Sequence, residues 1–164
     1  MALLPLVLWP APLLSARAAP IAGVTPAIRR LAADMLDTMY AAPGRGLAAP
    51  QVGVSQRLFV MDVTWKDGIP NPVICVNPEI HWRSDVVALG SEGCLSIPGP
   101  ITEVSRSQAI RLSWHDLDGT AHHARLAGFA AICAQHEYDH LDGILTLDHL
   151  SPAARDLAEA QARA

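Results

Sequence analysis

The stretch Gln135-His136-Glu137-Tyr138-Asp139-His140 constrains this chain more than any other. On a helix, H-E-x-x-H sets two imidazoles one turn apart on the same face with a carboxylate beside them. Residues Leu126 to Leu141 contain no proline and carry apolar side chains at helical spacing, so the motif is predicted to be helical. His136 and His140 continue the apolar stripe of Phe129 and Cys133 and are therefore predicted to point inward. Imidazoles and a carboxylate face an interior at a high desolvation cost unless something there engages them. A divalent metal does so: the two His take two corners of a tetrahedron, and Glu137 can reach a metal-bound water and remove its proton. The fold has to wrap this helix.

The surrounding sequence supplies the wrapping. Thr25-Pro26 reads as a helix start, with Thr at the N-cap and Pro at the first helical position, and Ile28, Leu31, Ala32, Met35, Leu36 and Met39 carry an amphipathic helix over 25–41. Pro43-Gly44 stops it. Short β-like runs follow at 57–63, 73–76, 86–89, 101–104 and 109–114, and Asp118-Gly119 predicts a tight hairpin. Ser151-Pro152 opens a last short helix over 151–163. Helix, several strands, helix is an α+β pattern: antiparallel or mixed β-sheets around a central metal-binding helix, with an N-terminal and a short C-terminal helix. A chain of 164 residues fits one domain, 1–164.

Composition narrows the function. The chain is 51% hydrophobic and 17% charged, too apolar to be disordered. Its net charge is −4, and its eleven Arg and single Lys, Lys66, are scattered, so DNA is not an expected partner. Three widely separated cysteines, Cys75, Cys94 and Cys133, argue against a disulfide framework and for a reducing compartment. The apolar start, with an A-x-A-like stretch near Ala16 to Ala18, has some features of a secretory leader. It lacks a positive n-region, and Pro5, Pro10 and Pro12 break the run, so it is expected to lie over the domain rather than span a membrane.

Two His need a third ligand. Cys94, in Glu92-Gly93-Cys94-Leu95-Ser96, is the candidate, because the neighbouring glycine lets the backbone bring a thiolate close to another element. A Cys/His/His set leaves the fourth corner open, as in catalytic sites, and accepts Zn(II), Fe(II), Co(II) or Ni(II). Cys75 reads as a small buried hydrophobe, and Cys133 can be read the same way. In Gly44-Arg45-Gly46-Leu47-Ala48-Ala49-Pro50-Gln51, small residues permit close approach of a ligand and Gln51 adds an amide donor suited to an oxyanion. Glu92 is the expected acceptor for the second ring N–H of a metal-bound His, and Asp139 and Arg106 can form an internal ion pair. His122, His123 and His149 are expected to be solvated.

In order and spacing, GRGLAAPQ, EGCLS and QHEYDHLDG resemble the three signature motifs of the peptide deformylases. The likeness extends over nearly the whole chain, with LVLWPAPLL and AAPI resembling the family's N-terminal strand. The resemblance implies a cytoplasmic, monomeric hydrolase that removes the formyl group from formyl-Met peptides and nascent polypeptides, releasing formate. It implies Cys94, His136 and His140 as ligands of one ion, natively Fe(II), with Zn(II), Ni(II) or Co(II) as substitutes. Glu137 would then be general base and general acid, Gln51 and the Leu95 N–H would stabilise the oxyanion, and Gly46, Ile132 and Cys133 would line the substrate groove. Arg45 replaces a usual aliphatic residue, and Ile101 a frequent basic one. The tail sets Arg155 and Arg163 against Asp156 and Glu159, without the basic surplus of the family's ribosome-docking helix, so ribosome contact is left open. Two alternatives remain at this stage: a deformylase-like amidase or metallopeptidase with a shifted substrate, and a non-catalytic metal-binding module.

Overall fold

The computed structural model describes residues 2–164. The first helix, α1, spans Pro26–Ala41, with Thr25 as N-cap: its hydroxyl accepts from the Ile28 N–H at 3.2 Å. Seven strands follow, β1 (Gly46–Ala48), β2 (Leu58–Met61), β3 (Val73–Arg83), β4 (Val87–Cys94), β5 (Ile97–Ser107), β6 (Ala109–His115) and β7 (Ala121–Ala127), and then α2 (Gly128–Leu141) and α3 (Pro152–Arg163). Ser151 caps α3 by accepting from the Ala154 N–H at 3.3 Å.

The strands form two antiparallel sheets, one of five strands in the order β1-β2-β3-β6-β7 and one of two, β4-β5. The α+β expectation holds. β2 is buried on both faces, which is why Leu58-Phe59-Val60-Met61 is a continuous apolar run rather than an alternating one. Leu58 and Val60 pack towards Met35 and Met39 of α1, while Phe59 and Met61 pack towards Ala131, Cys133 and Ala134 of α2. The helix carrying H-E-x-x-H is thus clamped between the large sheet and the β4-β5 hairpin. A third cluster, Leu14, Ile97, Leu145, Leu147 and Ala158, seats α3 and the N-terminal segment.

That N-terminal segment is not a strand. It runs extended, with a 3-10 turn at Pro12–Ser15 and a single bridge, Ala19 to Gln56. Its backbone bonds are dispersed: the Val7 N–H donates to Gln51 O, Trp9 to Ser96 O and Ala18 to Leu141 O, at 2.7 to 2.8 Å. Pro5, Pro10 and Pro12 lack the N–H groups that a ladder would use.

Three strands, β3, β4 and β5, are longer than the expected runs at 73–76, 86–89 and 101–104. Pro78 reads as a breaker, yet β3 runs through it because the register with β6 shifts between Val76 and Glu79, an irregularity that accommodates a missing donor. β4 continues through Gly90 and Gly93 to Cys94. The Asp118-Gly119 turn is wider than a two-residue hairpin: residues 116–120 close it, with the Asp116 carboxylate accepting from the Asp118 and Thr120 N–H groups. Among the described residues, no helix is long and apolar enough to cross a membrane. All three cysteines are free.

Candidate functional site

The three motifs converge on one cavity of about 560 Å³. β4 and β5 are joined through Leu95 and Ser96, so Cys94 ends one strand of a hairpin and reaches His140 in the last turn of α2. Cys94, His136 and His140 each offer a ligand atom, all within 4.8 Å of one another. Cys94 Sγ lies 3.5 Å from His140 Nε2. A tetrahedral ion with a metal–sulfur bond of about 2.3 Å and metal–nitrogen bonds of about 2.0–2.1 Å requires an S···N edge of about 3.6 Å. The donor set fits a metal.

The electrostatics favour a cation at the same point. Burial opposes a charge on His136, but Glu137, with Cys94 and Glu92, outweighs it and holds the imidazole pKa well above its ordinary value. His140, buried and beside His136, is held well below and stays neutral. A divalent ion answers the negative surroundings that otherwise draw a proton onto His136.

Behind the ligands runs a buried polar chain. Glu92 Oε1 lies 2.9 Å from His136 Nδ1, as expected, which leaves Nε2 to face the site. Arg106 donates from Nε and Nη2 to Glu92 at 2.7 and 3.0 Å, and from Nη1 to Asp139 at 2.8 Å. Burial alone would raise both carboxyl pKa values; hydrogen bonds from His136 and Arg106 to Glu92, and from His149 and Arg106 to Asp139, hold them low. The Asp139–Arg106 pair is therefore real, and both residues are at least nine-tenths buried.

Glu137 occupies the cavity wall. It is 4% exposed, its Oε1 has no partner, and burial pushes its pKa up to about 7. Its other oxygen lies against Gly46: a Cβ there would sit 2.5 Å from Oε2. Gln51 stands opposite in a 3-10 turn, Ala49–Val52. Its Oε1 accepts from the Ala48 N–H at 3.0 Å, and its Nε2 donates to Ser96 Oγ at 3.0 Å and towards Cys94 Sγ at 3.7 Å. Leu95, Ile132 and Cys133 also line the cavity, and the Cys133 thiol donates to Arg45 O at 3.6 Å. Of the nine residues singled out from the sequence, only His140 does not line the cavity; it lies buried beneath Cys94.

Three expectations need correction. Phe129 does not extend the inward stripe: it is 49% exposed, at the cavity rim, under the Arg45 guanidinium at 5.1 Å from its ring centre. The helix begins only at Gly128, so Phe129 falls in its first turn, one residue after β7 ends at Ala127, and its ring meets Arg45 instead of the core. His149 and His122 are not simply solvated: His149 Nε2 lies 2.9 Å from Asp139 Oδ2, and His122 Nε2 lies 2.7 Å from Asp116 Oδ2 with its ring stacked on Trp114. Ser96, which fixes the Gln51 amide, escaped sequence reasoning, although its place two residues after Cys94 in a predicted close approach was the available signal.

With this geometry in hand, comparison with known proteins is unambiguous. A family model for polypeptide deformylase matches residues 3–156. A peptide deformylase of Alkalilimnicola ehrlichii is 49% identical over 155 residues, covering 94% of this chain and 86% of that protein. One from Rhizobium meliloti is 43% identical over 157 residues, covering 96% and 90%. The crystal structure of a peptide deformylase from Ehrlichia chaffeensis in complex with actinonin superposes with a TM-score of 0.94 at 36% identity, covering 99% of this chain and 97% of that one.

Proposed function

This chain belongs to the peptide deformylase family, metal-dependent enzymes that remove the formyl group from the N-terminus of nascent peptides, and from that premise we propose how its own residues divide the work. The observation that carries the proposal is the buried, unpartnered Oε1 of Glu137, a residue of the cavity wall, beside a three-ligand set with metal spacing.

Cys94, His136 and His140 hold the ion, with one thiolate and two imidazoles, a donor set that suits Fe(II) and also Zn(II), Ni(II) and Co(II). Fe(II) is the family's expected choice. When bound, the ion supplies the Lewis acidity that makes water nucleophilic near neutral pH.

The formyl carbonyl lies between Glu137 on one side and Gln51 with the Leu95 N–H on the other. Glu137 accepts a proton from the attacking water. The C–N bond then breaks, Glu137 returns that proton to the leaving amine, and formate and a free N-terminus result. A carboxyl pKa of about 7 suits both transfers, because the group can take and give a proton without a large energetic penalty in either direction. Gln51 Nε2 and the Leu95 N–H donate to the oxygen as it gains charge; one such donor is worth about 3 kcal/mol. Gln51 is held for this by Ala48 and Ser96 rather than free to turn. The Gly46 backbone, Ile132 and Cys133 receive the methionine side chain.

The proposal treats the chain as one domain, 1–164, acting as a cytoplasmic monomer in which Cys94 stays reduced. It includes no ribosome contact through α3, whose cations are engaged within the chain: Arg155 pairs with Asp148 and Glu159, and Arg163 lies over the Trp9 ring. The decisive experiment is formate release from formyl-Met-Ala-Ser by Fe(II)- or Ni(II)-loaded protein. Turnover is expected; metal bound one-to-one without formate release would overturn the proposal.

A further inference from the structure

The mouth of the cavity carries a charge imbalance that hydrolysis of a formyl group does not require. Of the charged side chains in its lining, Glu92 and Arg106 neutralise each other in the interior and Glu137 stands at the reacting centre. The remaining two, Arg45 and Lys66, are both cations. Neither has a carboxylate within ion-pair distance among the described residues; the same is true of Arg30, Arg83, Arg111, Arg125 and Arg163, but none of those lines the cavity.

Arg45 is held as if for a ligand. Its guanidinium lies over the half-exposed Phe129 ring at 5.1 Å, which restricts the side chain, and its Nε is buried with no acceptor. A desolvated donor without an acceptor is costly, and a planar guanidinium at a cavity edge is completed best by a carboxylate, which it can meet with two parallel hydrogen bonds. Arg45 is the chain neighbour of Gly46, whose α-carbon abuts Glu137. A peptide whose formyl group sits at Glu137 and which advances about 3.3 Å per residue passes Arg45 within its first few residues.

We infer that this cavity selects formyl-methionyl peptides that carry a carboxylate close downstream of the methionine, with Arg45 as the specificity residue and Lys66 reinforcing it. The inference rests on the formyl-peptide activity proposed above. Two sources present the same chemistry: an Asp or Glu side chain, or the free C-terminus of a short peptide.

The test compares kcat/KM for C-terminally amidated formyl-Met-Glu-Ala, formyl-Met-Gln-Ala and formyl-Met-Lys-Ala, and for the same three with the acid in the third position. Formyl-Met-Ala-Ala is compared as free acid and as amide. Metal-loaded wild-type enzyme should prefer Glu over Gln by about fivefold or more at low salt, with Lys below Gln, and the preference should shrink at high salt. Arg45→Gln should bring Glu and Gln together, and Arg45→Lys should restore part of the gap, since charge returns without the planar fork. Lys66→Gln should narrow the gap without closing it. A preference for the free acid over the amide that Arg45→Gln also removes assigns the C-terminus as a source. If wild type hydrolyses all the peptides within twofold of one another, or if a preference survives Arg45→Gln unchanged, the inference is wrong while the deformylase activity stands. If none is hydrolysed by metal-loaded enzyme, both fail.

Discussion

Gly46→Ala tests the site at its tightest point. A Cβ added to Gly46 would lie 2.5 Å from Glu137 Oε2, 2.8 Å from Cδ and 2.9 Å from Cγ, against an ordinary contact that begins at 3.4 Å. The shortfall at the oxygen is 0.9 Å. β1 cannot supply it cheaply, because Gly46 is paired with Met61 of β2 and the β2 side chains are buried on both faces. The whole carboxyl group of Glu137 must therefore move, and as a residue of the cavity wall it has room to do so only on the cavity side, away from its place beside the metal ligands. A displacement near 1 Å of a group that handles protons costs about 10²-fold in rate, while overpacking of this size costs about 1–3 kcal/mol in stability. For a chain of this length that is a fall in Tm of about 2–12 °C. The assay is steady-state formate release from formyl-Met-Ala-Ser, with metal content and thermal unfolding measured on the same sample. The expected result is folded, metal-replete enzyme whose kcat falls by about two orders of magnitude with a smaller change in KM. Glu137→Asp, which retracts the carboxylate by one methylene, should make the double variant less impaired than the product of the two single losses. A Gly46→Ala enzyme with wild-type kcat would refute the reasoning, because it would mean that the position of the Glu137 carboxylate is not what limits turnover.

Other expectations follow from the same contacts. Glu137→Gln should retain one metal per chain and lose about 10²–10⁴ in kcat, read by metal analysis alongside formate release; loss of metal together with activity would make Glu137 structural instead. Arg106→Met leaves the Glu92 and Asp139 carboxylates buried without their shared cation and should cost about 3–5 kcal/mol in urea unfolding, with metal affinity reduced about 10- to 100-fold as Glu92 loses its fixed position beside His136. The Tyr40 hydroxyl donates to Asp62 at 2.7 Å, and burial followed by that carboxylate raises its pKa to about 12. Because the folded value exceeds the unfolded value of about 10, the stabilisation is complete below pH 10 and is lost as pH rises towards 12. Tyr40→Phe should accordingly show a shallower fall in urea midpoint over that interval than wild type, and parallel profiles would contradict the assignment.

The parts of this molecule legible from sequence are those where chemistry and local periodicity act within a few residues. H-E-x-x-H fixes its own geometry once helical. Thr25-Pro26 and Ser151-Pro152 announce helix starts that the backbone uses, with both hydroxyls accepting from the N–H three residues on. Glu92 and Arg106 were identifiable because a buried imidazole and a buried carboxylate each need a partner. What stayed hidden depends on distant contacts. The bend that lets β3 run through Pro78 is visible only against β6, and the dispersed bonding of the N-terminal segment only against Gln51, Ser96 and Leu141. Phe129 looks like a core residue in a helical wheel, but the wheel does not record that Arg45, 84 positions earlier, comes to lie over its ring. His149 meets Asp139 because the chain turns back after α2, and nothing local in Leu147-Asp148-His149 signals that.

The two-stranded sheet β4-β5 has a consequence for how the molecule comes apart. An isolated hairpin is only marginally stable in water, and this one exposes Val87, Leu89 and Ile101. Its attachment to the body runs through Arg106 to Asp139, Glu92 to His136, Ser96 to Gln51 and to the Trp9 N–H, Ser107 to Ser84 and Gln135, and the packing of Ile97 beneath α3. Cys94 sits at its tip, 46 positions along the chain from His140. Two of the three ligand residues thus belong to α2, which packs on the large sheet, and the third to the hairpin. Ion release and hairpin opening become one cooperative subglobal event, so amide exchange in 87–107 should follow chelator concentration while exchange in β2 and β3 follows global unfolding.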